Sequence, residues 1–206
     1  MSWRERAVAI WTSSTDRVLE GVWTGPGNGG VIIAPAHPLM GGTLDHPVCS
    51  EIAYACYQEG IAGLRFNWRG VGASQGSVTG DRAAALEDFH AALDHLRESI
   101  DGETVAAGYS FGAIIALTAA MRYQQFRRVI AVSPPLALLH SLDLSAVRSP
   151  ITVICGGADS YSPAAGLQEH LRRWPHIRLH VIASVDHFYN ERGLVELSAL
   201  VRAAVG

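Results

Sequence analysis

The chain has 206 residues, 49% of them apolar and 17% charged, with a formal charge of −3. All 16 cationic side chains are Arg and none is Lys, which excludes Schiff-base lysine chemistry and the Gly-Lys-Ser/Thr phosphate loop. A slightly negative chain with dispersed arginines also argues against nucleic acid as a main partner, because Arg127-Arg128 and Arg172-Arg173 are pairs and not a patch.

At about 150 residues per domain, this length suits one domain spanning 1–206, able to bury roughly 70% of its unfolded surface. Residues 6–12 and 17–24 read as strands. The segment Gly25-Pro-Gly-Asn-Gly-Gly30 then turns into a third strand, Val31–Ala34. Asn28-Gly29 tolerates the positive φ of a tight turn, so these three strands are expected to open the sheet as an antiparallel set. Beyond them strands and helices alternate. A helix over 46–59 leads to a strand over 61–67, and an amphipathic helix follows over 81–98, with Ala84, Leu86, Phe89, Leu93 and Leu96 at helical spacing. A strand over 104–109, a helix over 111–124 and a strand over 128–132 come next. Strands over 151–155 and 178–182 and helices over 163–173 and 190–204 complete the pattern. Apolar runs such as VIAV and ITVIC suit a parallel sheet covered on both faces. The expected fold class is α/β, with about eight mostly parallel strands.

No apolar run approaches the roughly 18 to 20 residues that span a bilayer. The five apolar residues Ala7–Trp11 after Arg4-Glu5-Arg6 are too few for a secretory signal. Cys49, Cys56 and Cys155 are odd in number and lack CxxC spacing, which fits reduced thiols. The expectation is a soluble cytoplasmic protein without a membrane partner.

The chemistry centres on Gly108-Tyr109-Ser110-Phe111-Gly112, between a strand and an Ala/Ile-rich helix. A sharp strand-to-helix turn strains the backbone of Ser110, and Gly108 and Gly112 remove side chains that would clash there. The helix dipole at that point favours developing negative charge. A serine hydroxyl needs a base, and two later strands are followed by Gly156-Gly157-Ala158-Asp159 and Val185-Asp186-His187. The order Ser, Asp, His is that of triads on such sheets, where loops at the carboxyl ends of parallel strands converge. His187 would take the proton of Ser110 while Asp159 fixes the imidazole tautomer. Asp186 and Asp143 are alternative acids, but Asp186 is poorly placed to reach the ring of its own neighbour.

The loop His37-Pro38-Leu39-Met40-Gly41-Gly42 follows the third strand, where an oxyanion loop belongs. One oxyanion donor is expected from the backbone N–H of Phe111. The second comes from Leu39, or failing that Met40, since Pro38 has no N–H. His37 is expected to brace this loop. Tyr109, Tyr161 and Phe188 flank the motif loops as acyl-pocket candidates. Glu87, His90 and Asp94 share a helix face but have no second carboxylate–histidine pair elsewhere, so they read as a solvated face and not as a metal site.

With HPLMGGTLDHP, LRFNWRGVGASQG, GYSFGA, GGADSYSP and VDHFY in order from residue 37 to 189, the sequence resembles compact members of the α/β-hydrolase superfamily. It is particularly similar to small bacterial hydrolases of the dienelactone-hydrolase and prolyl-peptidase-like branches. The resemblance implies cofactor-free, metal-free cleavage of an ester, thioester or amide through an acyl-enzyme. Many relatives carry Asp where Asn67 stands here, and the stretch from Asn67 to Ser74 is read as packing behind the site. Where many relatives insert a helical lid, only Ser133–Ser149 joins two strands, so no large cap is expected. The leading expectation is a carboxylesterase for small to medium acyl groups. A peptidase or amidase, a thioesterase, and a non-catalytic binding module stand as alternatives.

Overall fold

A computed structural model describes residues 3–12 and 17–206. Eight strands form one sheet: β1 (Glu5–Trp11), β2 (Val18–Thr24), β3 (Gly30–Ala34), β4 (Ala62–Phe66), β5 (Thr104–Tyr109), β6 (Phe126–Val132), β7 (Ile151–Gly156) and β8 (Ile177–Ile182). Six helices accompany them: α1 (Pro47–Gln58), α2 (Arg82–Glu98), α3 (Phe111–Tyr123), α4 (Leu136–Leu139), α5 (Ala164–Leu171) and α6 (Glu191–Val205). The strand order is β1-β2-β4-β3-β5-β6-β7-β8, parallel from β4 onward.

The expected antiparallel trio is corrected by this order. β1 and β2 do pair antiparallel, but β2 then pairs with β4, and β3 lies between β4 and β5, parallel to both. The Asn28-Gly29 region is therefore a crossover past one strand and not a hairpin turn. Burial gives the physical reason. All five residues of β3 are buried, whereas β2 mixes buried and half-buried positions. A strand apolar on both faces gains most from the middle of a covered sheet, where each buried Val or Ile is worth about 1.5–3 kcal/mol.

The pleat sorts side chains into two cores. Ile32, Leu64, Ala106, Ala131 and Val153 join one cluster with α2 and α3, whereas Val31, Ile33, Val105, Ile130 and Ile154 join a second with α1 and α6. Asp81 and Asn190 cap α2 and α6 by accepting the N–H groups of Ala84 and Gly193, both at 2.8 Å. The link from β6 to β7 holds only α4 and a short 3-10 turn at Leu144–Ala146, so no cap domain covers the sheet. Among the described residues, no helix is long and apolar enough to cross a membrane.

Candidate active site

The turn from β5 into α3 places Ser110 at φ 55°, ψ −118°, a strained backbone for a residue with a side chain. The flanking glycines permit it. A Cβ on Gly108 would stand 2.2 Å from the carbonyl oxygen of Gly112, and one on Gly112 would stand 2.1 Å from that of Ala34. The Ser110 N–H donates to Val132 O at 2.8 Å, tying the turn to β6.

Two loops far along the chain meet this hydroxyl. His187, between β8 and α6, lies with Nε2 2.9 Å from Ser110 Oγ, and its Nδ1 lies 2.9 and 3.0 Å from the two carboxylate oxygens of Asp159. Asp159 is itself fixed, because Tyr161 N–H and Ser162 N–H both donate to its Oδ1 at 2.9 Å. Burial works to raise the pKa of this carboxyl. Hydrogen bonds from His187, the Ser133 hydroxyl and Ser162 N–H outweigh that effect and hold it below its ordinary value. Asp186 is exposed and accepts the N–H of Phe188 at 3.0 Å, and Asp143 caps the 3-10 turn through Ser145 N–H. Neither alternative acid touches the imidazole.

The pocket candidates divide. Tyr109 is buried and its hydroxyl donates to the carbonyl of His187 at 2.8 Å, so it props up the histidine loop while its ring borders the cleft. Tyr161 and Phe188 are exposed at the mouth, with ring centroids 4.8 and 5.6 Å from that of His187. Together with Met40, Phe111, Pro135 and Leu138 they line a cleft of about 380 Å³ over Ser110. A larger cavity of about 500 Å³, lined by Arg128, His176 and Arg178 among others, contains none of these residues.

In the oxyanion loop, Phe111 N–H opens α3, where the first amides of a helix lack intrahelical acceptors. His37 braces the loop three ways. Its Nδ1 accepts Leu39 N–H at 3.2 Å, its carbonyl accepts Met40 N–H and Gly42 N–H at 3.0 Å, and its ring packs on Phe111. The structure does not bring Leu39 into the cleft. Leu39 is 62% exposed, Met40 and Gly41 form the wall in its stead, and the Leu39 amide is engaged by the imidazole.

Two residues escaped the sequence reading. Ser133, at φ 46°, helps hold Asp159 and pairs with Tyr189 Oη at 3.1 Å. His46 lines the cleft, and its only sequence sign is that His46-Pro47 repeats the His37-Pro38 dipeptide. Behind the site, Asn67 and Ser74 bind backbone and Arg69 pairs with buried Asp88. Glu87 pairs with Arg69 and His90 with Asp94.

Comparison with known proteins adds to this geometry. A family profile described as serine aminopeptidase, S33, matches residues 41–143, a span that includes Ser110 and ends before Asp159 and His187. An α/β serine hydrolase homologue from Coxiella burnetii superposes with a TM-score of 0.89 at 27% identity, over 98% of this chain and 97% of that one. The chain belongs to the α/β-hydrolase superfamily. A lidless serine hydrolase from Xanthomonas campestris shares the hydrolase's fold at TM-score 0.84 and 24% identity, over 98% of this chain and 94% of that one. An uncharacterised protein of Rickettsia prowazekii is 29% identical, over 77% of this chain and 71% of its own.

Proposed function

We propose that this α/β hydrolase cleaves carboxylic esters of small to medium acyl groups through an acyl-enzyme formed on Ser110. The observation that supports it is the unbroken hydrogen-bonded line from Asp159 through His187 to Ser110. Ser110 Oγ attacks the ester carbonyl while His187 Nε2 takes its proton, and the imidazolium then protonates the leaving alcohol. Asp159, ionised and held by two backbone amides, balances the charge on His187 throughout. Water repeats the sequence on the acyl-enzyme. These steps draw only on the chain's own groups and need no cofactor.

The oxyanion faces Phe111 N–H at the start of α3, and such a donor is typically worth about 3–4 kcal/mol. A second donor from the 37–42 loop requires Leu39 or Met40 to exchange its present acceptor on His37 for the oxyanion. The ester reading is favoured over an aminopeptidase by the cleft wall. Among the described residues lining it, none is Asp or Glu, so no side chain there would pair with a peptide's terminal ammonium. The free, buried cysteines suit a reducing compartment, and we place the enzyme in the cytoplasm with a small-molecule ester as its partner.

The test pairs fluorophosphonate labelling with hydrolysis of p-nitrophenyl esters of increasing chain length. Labelling and turnover are expected, both abolished by Ser110→Ala with the circular dichroism spectrum unchanged. A non-catalytic module would show neither in the wild type. Matched ester and anilide substrates separate esterase from amidase, with the ester expected to react faster.

A further inference from the structure

His46 ends the loop that begins at His37, and it caps α1 with its own ring: Nδ1 accepts Val48 N–H at 3.3 Å. A nitrogen that accepts cannot carry the proton, so the neutral ring bears its hydrogen on Nε2. One face of the ring lies on Tyr109, with centroids 4.5 Å apart at 33°. Tyr109 also lies against His187, with centroids 5.5 Å apart, so both imidazoles pack on this one ring. His46 lines the cleft; with Nδ1 turned to the helix and the ring packed on Tyr109, Nε2 is its one remaining polar side-chain atom, and no described residue accepts from it. Met40, Phe111, Leu138 and Phe188 give the same cleft apolar lining.

We propose that His46 determines specificity: its Nε2–H donates to a neutral oxygen on the acyl chain, so favoured substrates are esters with an ether, keto or hydroxyl oxygen near the scissile carbonyl. This rests on the ester-hydrolase reading of Ser110. The acyl side is assigned because the leaving alcohol must sit against His187, which protonates it, whereas His46 belongs to the loop that begins at His37 and carries Met40. Burial first, and then repulsion from His187, keeps the His46 pKa below its ordinary value, so the ring is neutral at neutral pH. It must stay so, since His187 becomes cationic during acyl transfer and a second cation nearby would oppose it. A substrate carboxylate would be desolvated among apolar side chains, with no Arg among the described lining residues to pair with it, which selects a neutral acceptor. In an apolar wall, a lone donor discriminates against a substrate that leaves it unpaired.

The test compares kcat/KM for p-nitrophenyl methoxyacetate and p-nitrophenyl butanoate, which have the same number of acyl heavy atoms. The ratio is read in wild type, His46→Asn and His46→Gln, so intrinsic reactivity and any loss common to both esters cancel. Asn keeps a capping oxygen for α1 but is too short to reach the cleft. Gln sets an amide nitrogen near the position of Nε2. The methoxyacetate preference should fall about tenfold in His46→Asn and return to within a few-fold of wild type in His46→Gln. An unchanged ratio across all three proteins overturns the proposal. Faster hydrolysis of p-nitrophenyl hemisuccinate than of the methoxyacetate overturns the neutral-acceptor assignment. No turnover of either ester in wild type overturns the hydrolase reading and this inference with it. Independently of activity, ¹⁵N NMR should show His46 protonated on Nε2 alone at neutral pH, and a proton on Nδ1 would refute the donor.

Discussion

Replacing Asp159 with Asn should disable catalysis without moving an atom. Tyr161 N–H and Ser162 N–H both point at Oδ1 from 2.9 Å. In the variant the amide oxygen must occupy that position, since an NH₂ there would face two donors. The amide nitrogen is thereby forced to the Oδ2 position, 2.9 Å from His187 Nδ1. A donor at that point makes Nδ1 an acceptor and moves the ring proton to Nε2, where it faces Ser110 Oγ. His187 then cannot accept the serine proton. Escape by flipping the amide leaves two buried N–H groups without acceptors, at about 2 kcal/mol each. The resulting 4 kcal/mol or so is a factor of about 10³ in rate. Losing the carboxylate charge beside the imidazolium deepens the deficit toward the 10⁴-fold typical of such a change. The assay is kcat for p-nitrophenyl butanoate near neutral pH, with thermal denaturation as the check on folding. A kcat within tenfold of wild type for Asp159→Asn, together with a large loss for Asp186→Asn, would refute this reasoning.

Gly112→Ala should lower stability by about 3 kcal/mol, or Tm by about 6–12 °C, because the new methyl lies 2.1 and 2.4 Å from the backbone oxygens of Ala34 and Pro35; an unchanged melting curve counts against the packing argument. Asn67→Asp exchanges the Nδ2 donor that meets Glu20 Oε2 at 2.7 Å for a second carboxylate. It should cost about 2 kcal/mol at neutral pH and less in acid, where one carboxyl protonates, as urea titrations at two pH values would show. Burial pushes the thiols of Cys49, Cys56 and Cys155 up to about 12. Iodoacetamide at pH 8 should therefore leave the folded protein unlabelled for hours and modify all three cysteines in guanidinium, as intact-mass measurement would reveal.

What the sequence disclosed and what it concealed divide along the range of the forces involved. Gly108 was legible because the clash it relieves, with the carbonyl of Gly112, lies within a few residues, whereas the clash at Gly112 is with Ala34 and Pro35 at the end of β3, which only the fold brings near. The loops carrying Asp159 and His187 were legible because parallel strands deliver their carboxyl ends to one edge. The place of β3 was not, since alternation and apolarity identify a strand without naming its neighbours, and Gly25–Gly29 serve a crossover as readily as a hairpin. The acceptor for Leu39 N–H was hidden for a related reason: a backbone count supplies the amide, but only the folded loop shows the His37 ring closing on it. Tyr109 was legible as a residue of the site but not in its role, because its hydroxyl binds a carbonyl 78 positions away. His46 carries only the repeated His-Pro dipeptide, and Ser133 no sign at all. Their positions follow from where α1 begins and β6 ends.

The short link after β6 decides more than access. It is pinned to the Asp159 loop, with Leu136 N–H on Tyr161 O at 3.0 Å and Ser162 Oγ on Pro134 O at 2.9 Å. Leu138 is thereby held as fixed cleft wall and not as part of a moving cover. On the proposed mechanism, an acyl group on Ser110 would lie in a cleft whose rim, Tyr161 and Phe188, is exposed. Water would then enter past that rim with no cover to displace. If Ser110 forms the proposed acyl-enzyme, the fixed wall would favour its hydrolysis by water over transfer to an acceptor that a closing cover would have to hold.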